Sequence, residues 1–465
     1  MRNMAGVAVM IGAALAAGCT SDNDTVATKP ATPPTNVIFF LGDGMGLNTL
    51  TAARIYGVGE EGDLTIDTLP ETAFIKTFSH DAQVTDSAPS MAAYMTGVKS
   101  NNGVISMDGD ATFERDCSQS AGKPVTTLLE LAKADGRGTG VVTSTRVTHA
   151  TPAATYAHIC NRDLEADIAA QLVPAGKGYN SALKEGVDVV LGGGSSFFLP
   201  KADKGKREDG RNLIDEMKAN GYQFASTLDE LNKADAGKPL LGLFGSSHMK
   251  YELDRPASEP SLAQMTLAAI KQLKDNEKGY FLMVEGSRID HALHDTNAKR
   301  ALQDTLAFDN AIKAAIDEVK KTDPELKNTL IVVTADHDHT LVLNGYAKRT
   351  GKTTAENPGV LGLVRNYDTG EPSKDSDGMP YTIIGFGNGY NRVDGPRSSV
   401  APLDDATVFA NDYHQEVVVK VGELGSETHG GTDVFLGAIG KGADSFHGSL
   451  DNTAVFGKIK AAAQL

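Results

Sequence analysis

The chain has 465 residues, of which 40% are hydrophobic and 22% are charged. This length allows a large buried core and two or three domains. The formal net charge of −16 at pH 7 argues against a protein that binds nucleic acid through a basic face.

The N-terminal 19 residues are typical of a secretory signal peptide. Arg2 precedes an apolar run from Met4 to Ala17, and small residues lead to Cys19 as in a lipobox. Lipidation of Cys19 and ordinary signal cleavage nearby both stay open, because Ala16 stands where leucine is commonest. The polar, proline-rich residues 20–35 read as a flexible linker. We therefore expect an exported protein, either periplasmic or anchored in the outer membrane as a lipoprotein.

Residues 36–465 are predicted to form one catalytic domain of the α/β class. Apolar runs that read as strands alternate with helical patterns, which predicts a large, mostly parallel sheet with helices on both faces. A stretch at about 341–427 is rich in Gly, Pro, Asn and Asp, and it predicts a loop-rich insertion over the site. The predicted strands include Asn36–Leu41, Gly140–Thr143, Val187–Leu191, Phe281–Val284 and Thr329–Thr334.

Charged side chains follow several of these strands where each strand ends. Asp43 follows the first strand, Glu285 follows the fourth, and Asp336 and His337 follow the fifth. Ligands of open α/β sheets bind outside the carboxyl ends of the strands. These residues, distant in the sequence, are therefore expected to converge in space.

The segment from Glu285 to His294 predicts metal ligands at a strand-to-helix turn. Asp290 and His294 are four residues apart, so they share one face of the helix that follows Gly286. Carboxylate and imidazole groups together suit zinc or a harder cation. The alternative is a helix start whose acids are favoured by the helix dipole, and this segment alone supports both interpretations equally.

Ser87 is a candidate nucleophile at the start of a helix. Pro89 fits the first helical turn and Gly97 fits the helix end, so backbone N–H groups near Ser87 would favour a phosphate. The alternative is that Asp86 or Ser87 is only an N-cap, the commoner use of such a pair. No Gly-x-Ser-x-Gly motif surrounds Ser87, which argues against a Ser-His-Asp hydrolase. A serine without a base needs another activator, and a metal ion can hold it as an alkoxide.

Two further side chains are candidate site residues, although each has a commoner structural or surface role. Arg162 could grip a phosphate with two hydrogen bonds, although a surface salt bridge is the commoner use of arginine. His429 lies in a glycine-rich loop, where a lone histidine is usually structural or solvated. Ordinary structural or surface roles are expected for His80, His158, His248, His414 and His447.

Two cysteines remain in the chain beyond Cys19. Cysteines of an exported protein pair more often than they serve as a reactive thiolate. We therefore expect a disulfide between Cys117 and Cys160.

Together, these segments resemble the alkaline phosphatase family. The resemblance extends from Asn36 nearly to the C-terminus, through five motifs in the family's order. It implies the family's sheet with a crown-type insertion, a phosphoserine intermediate, two zinc ions, one magnesium ion and a homodimer. It also implies that phosphate monoesters are the substrates.

The resemblance also implies a role for each residue of the site. The nucleophile is Ser87, and the phosphate clamp is Arg162. The ligands of the first zinc are Asp290, His294 and His429. The ligands of the second zinc are Asp43, Asp336 and His337. The magnesium ligands are Asp43, Thr151 and Glu285.

Two positions resemble the animal members of the family more than its Asp/Lys members. His149 and His291 form a His/His pair, whose neutral imidazoles would meet the phosphate and the magnesium shell through water. Gly245 stands where the animal enzymes have the acid of a calcium site, so we do not expect calcium here.

Two alternatives to a phosphomonoesterase stay open. The first is a phosphodiesterase, sulfatase or phosphoglycerate mutase that shares the dimetal core. The second is a catalytically inactive, metal-binding surface lipoprotein. Ser87, Thr151, Glu285 and Arg162 favour the phosphomonoesterase.

Overall fold

A computed structural model describes residues 35–465. The predicted signal peptide, with Cys19, and nearly all of the predicted linker lie outside the described residues. Within residues 35–465, we find no helix with the length and apolarity that a bilayer crossing requires.

The described part of the chain contains 15 strands. They are β1 (Asn36–Gly42), β2 (Glu71–Lys76), β3 (Gly138–Arg146), β4 (Val189–Gly193), β5 (Gln223–Ala225), β6 (Leu240–Leu243), β7 (Tyr280–Gly286), β8 (Thr329–Ala335), β9 (Asp338–His339), β10 (Leu341–Leu343), β11 (Ile384–Gly389), β12 (Val417–Lys420), β13 (His429–Gly430), β14 (Val434–Gly440) and β15 (Gly448–Asp451).

The same residues contain 12 α-helices, besides several short 3₁₀ turns. They are α1 (Leu47–Val58), α2 (Ser87–Thr96), α3 (Leu128–Asp135), α4 (Ala150–Ala153), α5 (Glu165–Gln171), α6 (Leu213–Ala219), α7 (Leu228–Asn232), α8 (Leu262–Leu273), α9 (Arg288–His294), α10 (Ala298–Lys320), α11 (Asp405–Phe409) and α12 (Asn452–Ala463).

Ten strands form one central sheet in the order β15-β2-β14-β8-β1-β7-β3-β4-β6-β5. Neighbouring strands run parallel, except that β14 runs antiparallel to both β2 and β8. The predicted α/β fold with a large, mostly parallel sheet is therefore confirmed. The five predicted strands correspond to β1, β3, β4, β7 and β8.

Helices cover both faces of this sheet because its central strands are apolar on both sides. Phe39 and Phe40 are neighbours in β1, so their side chains point to opposite faces. The ring of Phe39 packs on Tyr94 of α2 at a centroid distance of 5.5 Å, and that of Phe40 packs on Phe308 of α10 at 5.9 Å. Both phenylalanines are fully buried. Burial of each such side chain contributes about 1.5–3 kcal/mol, which holds the layers together.

The strand register places the ends of the central strands level with one another. Gly42 at the end of β1 pairs with Gly286 of β7 on one side and with Ala335 of β8 on the other. On the far side of β7, Glu285 pairs with Thr143 of β3. The residues that follow β1 and β8 therefore emerge beside Glu285, at one edge of the sheet.

The range predicted as an insertion contains a separate three-stranded sheet, in the order β10-β11-β12. The two-residue strands β9 and β13 pair antiparallel, with His339 opposite His429. This pairing brings the loop after β8 beside a segment about 90 residues further along the chain. The assignment of the range as an inserted subdomain stays a prediction.

The predicted disulfide is present. Cys117 and Cys160 are bonded, with their Cα atoms 5.5 Å apart and a sequence separation of 43. The bond ties the long loop between α2 and α3 to the segment that carries Arg162. It thereby closes a loop that would otherwise be held only by weaker contacts.

Replacing both cysteines with serine (Cys117→Ser with Cys160→Ser) should destabilise the protein by about 2–4 kcal/mol, because the unfolded chain regains the entropy that the crosslink removes. The measurement is the thermal unfolding midpoint of the variant beside that of wild type. Ser118→Ala, an exposed change in the same loop, serves as the control. An unchanged midpoint for the double variant would contradict the stabilising role.

Candidate metal centre

Three side chains converge where β1 and β8 end. The backbone N–H groups of Gly44 and His337 both donate to Oδ1 of Asp336, each at 3.0 Å. His337 Nε2 lies 3.4 Å from Asp43 Oδ1 and 3.4 Å from Asp336 Oδ2. Asp43, Asp336 and His337 are fully buried. The ring nitrogen of His337 and the carboxylate oxygens of Asp43 and Asp336 thus face one another at the spacing of ligands that share a cation.

A second group lies beside the first and contains Asp290, one of whose carboxylate oxygens also lies within 4.8 Å of ligand atoms of Asp43 and His337. His294 Nε2 lies 3.3 Å from Asp290 Oδ1 and 3.2 Å from His429 Nε2, and His429 Nε2 lies 3.5 Å from the same Asp290 oxygen. The potential ligand atoms of this group, with those of His339, all lie within 4.8 Å of one another. Mixed nitrogen and oxygen donors of this kind suit zinc.

A backbone carbonyl holds the second ring nitrogen of His294, His337 and His429. Nδ1 of His429 bonds the carbonyl of Thr85 at 2.8 Å, Nδ1 of His337 bonds that of Asp338 at 3.3 Å, and Nδ1 of His294 bonds that of Glu427. A carbonyl oxygen only accepts, so Nδ1 carries the hydrogen in each ring. Nε2 then keeps its lone pair, as metal coordination requires.

A third set of donors consists of oxygen atoms alone. Asp43 Oδ2, Thr151 Oγ1, Glu285 Oε1 and Asp336 Oδ2 are all buried without a hydrogen-bond partner among the described residues. The other oxygen of Glu285 accepts a 2.5 Å hydrogen bond from Thr143 Oγ1. Unpaired buried oxygens are costly, and bound cations would offset that cost. Thr151, Glu285 and Asp43 form an oxygen set of the kind that magnesium prefers.

Burial is the largest influence on the carboxylates of the site, and their mutual repulsion adds to it. Burial raises the pKa of Asp43 well above its usual range, and the charges of Asp336, Asp290 and Glu285 raise it further. Burial likewise raises the pKa of Glu285 to about 7. Burial opposes ionisation of Asp290 as well, but the nearby His294 charge and its hydrogen bonds hold its pKa well below the usual value. Divalent cations would allow Asp43, Glu285 and Asp336, whose pKa values are raised, to ionise as well.

Ser87 lies at the first position of α2 and faces the first group of ligands. Its Oγ lies 3.2 Å from His337 Nε2 and 3.4 Å from Asp43 Oδ1. Asp86 is the N-cap, since its side chain accepts from the N–H of Ala88 at 2.7 Å. The capping role that Ser87 or Asp86 could have had therefore belongs to Asp86. The Ser87 hydroxyl points towards the carboxylates and the imidazole instead.

Arg162 reaches the same place from the segment after the disulfide. Its Nη1 donates to Asp86 Oδ1 and its Nη2 donates to His149 Nε2, each at 3.2 Å. Its backbone N–H bonds the carbonyl of Gly103 at 2.9 Å. The guanidinium is therefore held near Ser87 by its bond to Asp86, the residue that precedes Ser87 in the chain.

His149 and His291 lie side by side near this arginine. Their ring centroids are 5.5 Å apart, and Arg288 Nη1 donates to His291 Nδ1 at 2.7 Å. Burial, with the Arg162 charge next, holds the pKa of His149 well below its usual range. Burial also lowers the pKa of His291 to about 3. Both rings are neutral in this setting.

His339 belongs to the site, although the sequence reasoning gave it no role. Its Nε2 lies 2.8 Å from Asp290 Oδ1 and its Nδ1 lies 2.6 Å from Glu427 Oε2. Burial opposes its charge, but Glu427 and Asp290 prevail and raise its pKa to about 10. The alternation of acid and histidine from Asp336 to His339 was the available signal, because residues two apart in an extended strand share a face.

His248 is the second residue whose position the sequence did not suggest. Its ring packs against those of both His149 and His291. The remaining histidines bond elsewhere, His80 to Asn101, His158 to Glu130, and His414 and His447 to backbone carbonyls.

A family profile, curated relatives and solved structures each include matches to one family. The profile described as alkaline phosphatase matches residues 34–465. The chain is 39% identical to the tissue-nonspecific alkaline phosphatase of Gallus gallus over 446 residues, which is 89% of this chain and 81% of that one. It is 38% identical to the alkaline phosphatase of Gadus morhua, over 89% of this chain and 88% of that one. The structure of Thermus thermophilus alkaline phosphatase matches with a TM-score of 0.66 and 27% identity, over 96% of this chain and 95% of that one.

The four buried carboxylates predict how the protein responds to removal of its metals. Without cations, the raised pKa values of Asp43 and Glu285 mean that the fold favours their protonated forms. The stability of metal-free protein should therefore fall as the pH rises through the folded-state pKa of Glu285, about 7.

Thermal unfolding midpoints between about pH 5 and pH 8 measure this effect, with chelated protein compared to protein reloaded with zinc and magnesium. The gap between the two forms should widen as the pH rises. Midpoints that run parallel over this range would contradict a cation-neutralised carboxylate cluster. Calcium added to chelated protein is a control for non-specific effects of divalent ions.

Proposed function

The chain belongs to the alkaline phosphatase family of phosphoric monoester hydrolases, and from that premise we propose that Ser87, two zinc ions and one magnesium ion carry out its reaction. The observation that carries the proposal is the position of Ser87 Oγ, 3.2 Å from His337 Nε2 and 3.4 Å from Asp43 Oδ1. A hydroxyl at this place can share a cation with both side chains.

The buried donors fit the three ions by type. Mixed nitrogen and oxygen donors favour zinc and oxygen donors favour magnesium. When bound, the divalent ions would lower the pKa of the serine hydroxyl and of a water molecule, and would stabilise charge on the phosphoryl group. The residues proposed for the first zinc are Asp290, His294 and His429. Those proposed for the second zinc are Asp43, Asp336 and His337. Those proposed for magnesium are Asp43, Thr151 and Glu285.

The covalent steps are proposed to pass through Ser87. Its Oγ forms a bond to phosphorus as the bond between phosphorus and the ester oxygen breaks, and the proton that Ser87 loses balances the one that the leaving alcohol gains. A water oxygen then attacks the phosphoserine, which releases inorganic phosphate and restores the hydroxyl. Positioning and charge stabilisation account for most of such catalysis, so little acid–base work is needed from side chains.

The remaining residues are proposed to bind and orient the phosphate. Arg162 has two N–H groups to offer the phosphate oxygens and is kept in place by Asp86 and His149. The N-terminus of α2 adds a favourable dipole behind Ser87. The neutral rings of His149 and His291 are proposed to reach the phosphate through water.

The substrate class separates this proposal from related reactions. p-Nitrophenyl phosphate should be a far better substrate than bis(p-nitrophenyl) phosphate or p-nitrophenyl sulfate, because only the monoester offers a dianionic group to Arg162 and the metals. A preference for either analogue would favour a phosphodiesterase or a sulfatase. Zinc binding without turnover of any ester would favour the inactive surface protein.

We further propose that the protein is exported and forms a homodimer. The apolar run before Cys19 supports export, and membership of the alkaline phosphatase family supports the homodimer. Mass analysis of the mature N-terminus separates lipidation of Cys19 from ordinary cleavage, and an uncleaved chain would contradict export. Light scattering tests the dimer, which a monomeric mass at micromolar concentration would contradict.

Ser87→Ala should reduce turnover on the order of a thousandfold and leave the metal content unchanged, because it removes the nucleophile but no metal-binding imidazole or carboxylate. The measurement is steady-state turnover together with zinc and magnesium analysis. Acid-quenched wild type should carry a phosphoryl group on the peptide that contains Ser87. Ser118→Ala, at an exposed position, is the control. Retention of full activity in Ser87→Ala would rule out the assignment.

Arg162→Ala should raise KM and the inhibition constant of inorganic phosphate roughly 10- to 100-fold, as expected for a lost pair of charge-assisted hydrogen bonds. Arg162→Lys should lie between this variant and wild type, since it keeps the charge without the two-pronged geometry. Arg349→Ala removes an exposed arginine and serves as the control. Unchanged phosphate inhibition in Arg162→Ala would contradict the clamp.

A further inference from the structure

Three imidazoles and three arginines form a cluster beside the proposed phosphate site. The ring centroids of His248 and His291 are 4.3 Å apart, and His149 lies 5.6 Å from His248 and 5.5 Å from His291. One ring nitrogen of each histidine bonds a different arginine. The pairs are Arg162 with His149, Arg146 with His248, and Arg288 with His291.

These arginine bonds fix the state of each ring. A guanidinium only donates, so the ring nitrogen that it contacts keeps its lone pair and each imidazole is neutral. The remaining nitrogen of each ring therefore carries the hydrogen. Nδ1 of His149 and Nδ1 of His248 are buried and have no hydrogen-bond partner among residues 35–465. The Nδ1–H groups of His149 and His248 are thus hydrogen-bond donors whose orientation is fixed by the arginines.

The backbone around His248 is held on both sides. The carbonyl of Ser247 accepts from the N–H of Gly194 at 2.8 Å, and the N–H of Met249 donates to the carbonyl of Ser144 at 3.2 Å. A Cβ at Gly193 would lie 2.2 Å from the Ser247 oxygen, so glycine is needed there for the loop to approach. His248 is therefore fixed against the ends of β3 and β4.

The side chain of His248 is held as firmly as its backbone. Arg146 bonds it and also donates through Nε to Glu165 at 2.8 Å and 3.0 Å. Glu165 in turn accepts from Thr148 Oγ1 at 2.6 Å, next to His149 in the chain. A continuous chain of bonds thus connects α5, the end of β3 and the His248 loop.

We propose that His248 is a positioning residue of the phosphate site and acts through His291. Its ring packs on that of His291 more closely than His149 does, and it blocks the rotation that would otherwise turn His291 away from the site. This inference rests on the proposed function, because it assigns His248 a part in binding the phosphate of that reaction.

The experiment uses the full chain loaded with zinc and magnesium. His248→Ala should weaken the binding of inorganic phosphate three- to tenfold by calorimetry and raise KM for p-nitrophenyl phosphate by a similar factor. The value of kcat should change less than twofold, and the metal content should stay the same. Ser246→Ala, an exposed change in the same loop, should behave as wild type.

A double-mutant cycle separates positioning from general packing. In a His291→Ala background, His248→Ala should have no further effect on phosphate binding, because the residue through which it acts is gone. His248→Asn keeps a group that accepts from Arg146 and should restore part of the affinity. If His248→Ala does not fold, His248→Asn serves as the test variant in its place.

Two results would overturn the proposal. The first is that His248→Ala binds phosphate as tightly as wild type at equal metal content. The second is that His248→Ala reduces phosphate affinity as much in the His291→Ala background as it does in wild type. Failure of the proposed function would look different, since wild type would then bind phosphate without hydrolysing the monoester. The calorimetric comparison would still test His248 in that case.

Discussion

The site depends on the cost of holding four carboxylates together inside the protein. Asp43, Glu285, Asp290 and Asp336 are buried, and several of their oxygens have no protein partner within residues 35–465. Such a cluster is unfavourable unless cations neutralise it. The surrounding groups fit this need, since Thr143 and backbone N–H groups hold the outer oxygens and leave the inner ones free. The carboxylates, and the groups that orient them, thus form a cradle for divalent ions.

The central sheet is what brings these charges together. β1 lies between β7 and β8, and the register sets their ends level. Asp43 and Glu285, which are more than 240 positions apart in the sequence, therefore meet at one edge because their strands are neighbours in the sheet. The apolar packing of Phe39 and Phe40 on opposite faces stabilises this arrangement from both sides. Folding energy gained in the core offsets the electrostatic cost at the edge.

Most of the fold and the strand-end ligands could be predicted from the sequence, because apolar runs and the residues that follow them carry a local signal. Asp43, Glu285 and Asp336 were found in this way. His339 and Glu427 were missed, since their contact depends on the pairing of β9 with β13 across about 90 residues. His248 was missed for a similar reason, because the course of its loop follows from bonds to Gly194 and Ser144 that no local pattern specifies. The sequence could not decide between Asp86 and Ser87 as the N-cap either, because the answer depends on which side chain accepts from the N–H of Ala88.

We propose that one edge of the central sheet holds paired zinc ions with magnesium beside them. Anomalous diffraction from crystals grown with zinc and magnesium tests it most directly. We expect two peaks at the zinc edge, one among Asp290, His294 and His429 and one among Asp43, Asp336 and His337. A density without a zinc signal should lie between Thr151 and Glu285. Zinc peaks away from these side chains, or a single peak at full zinc loading, would contradict the account.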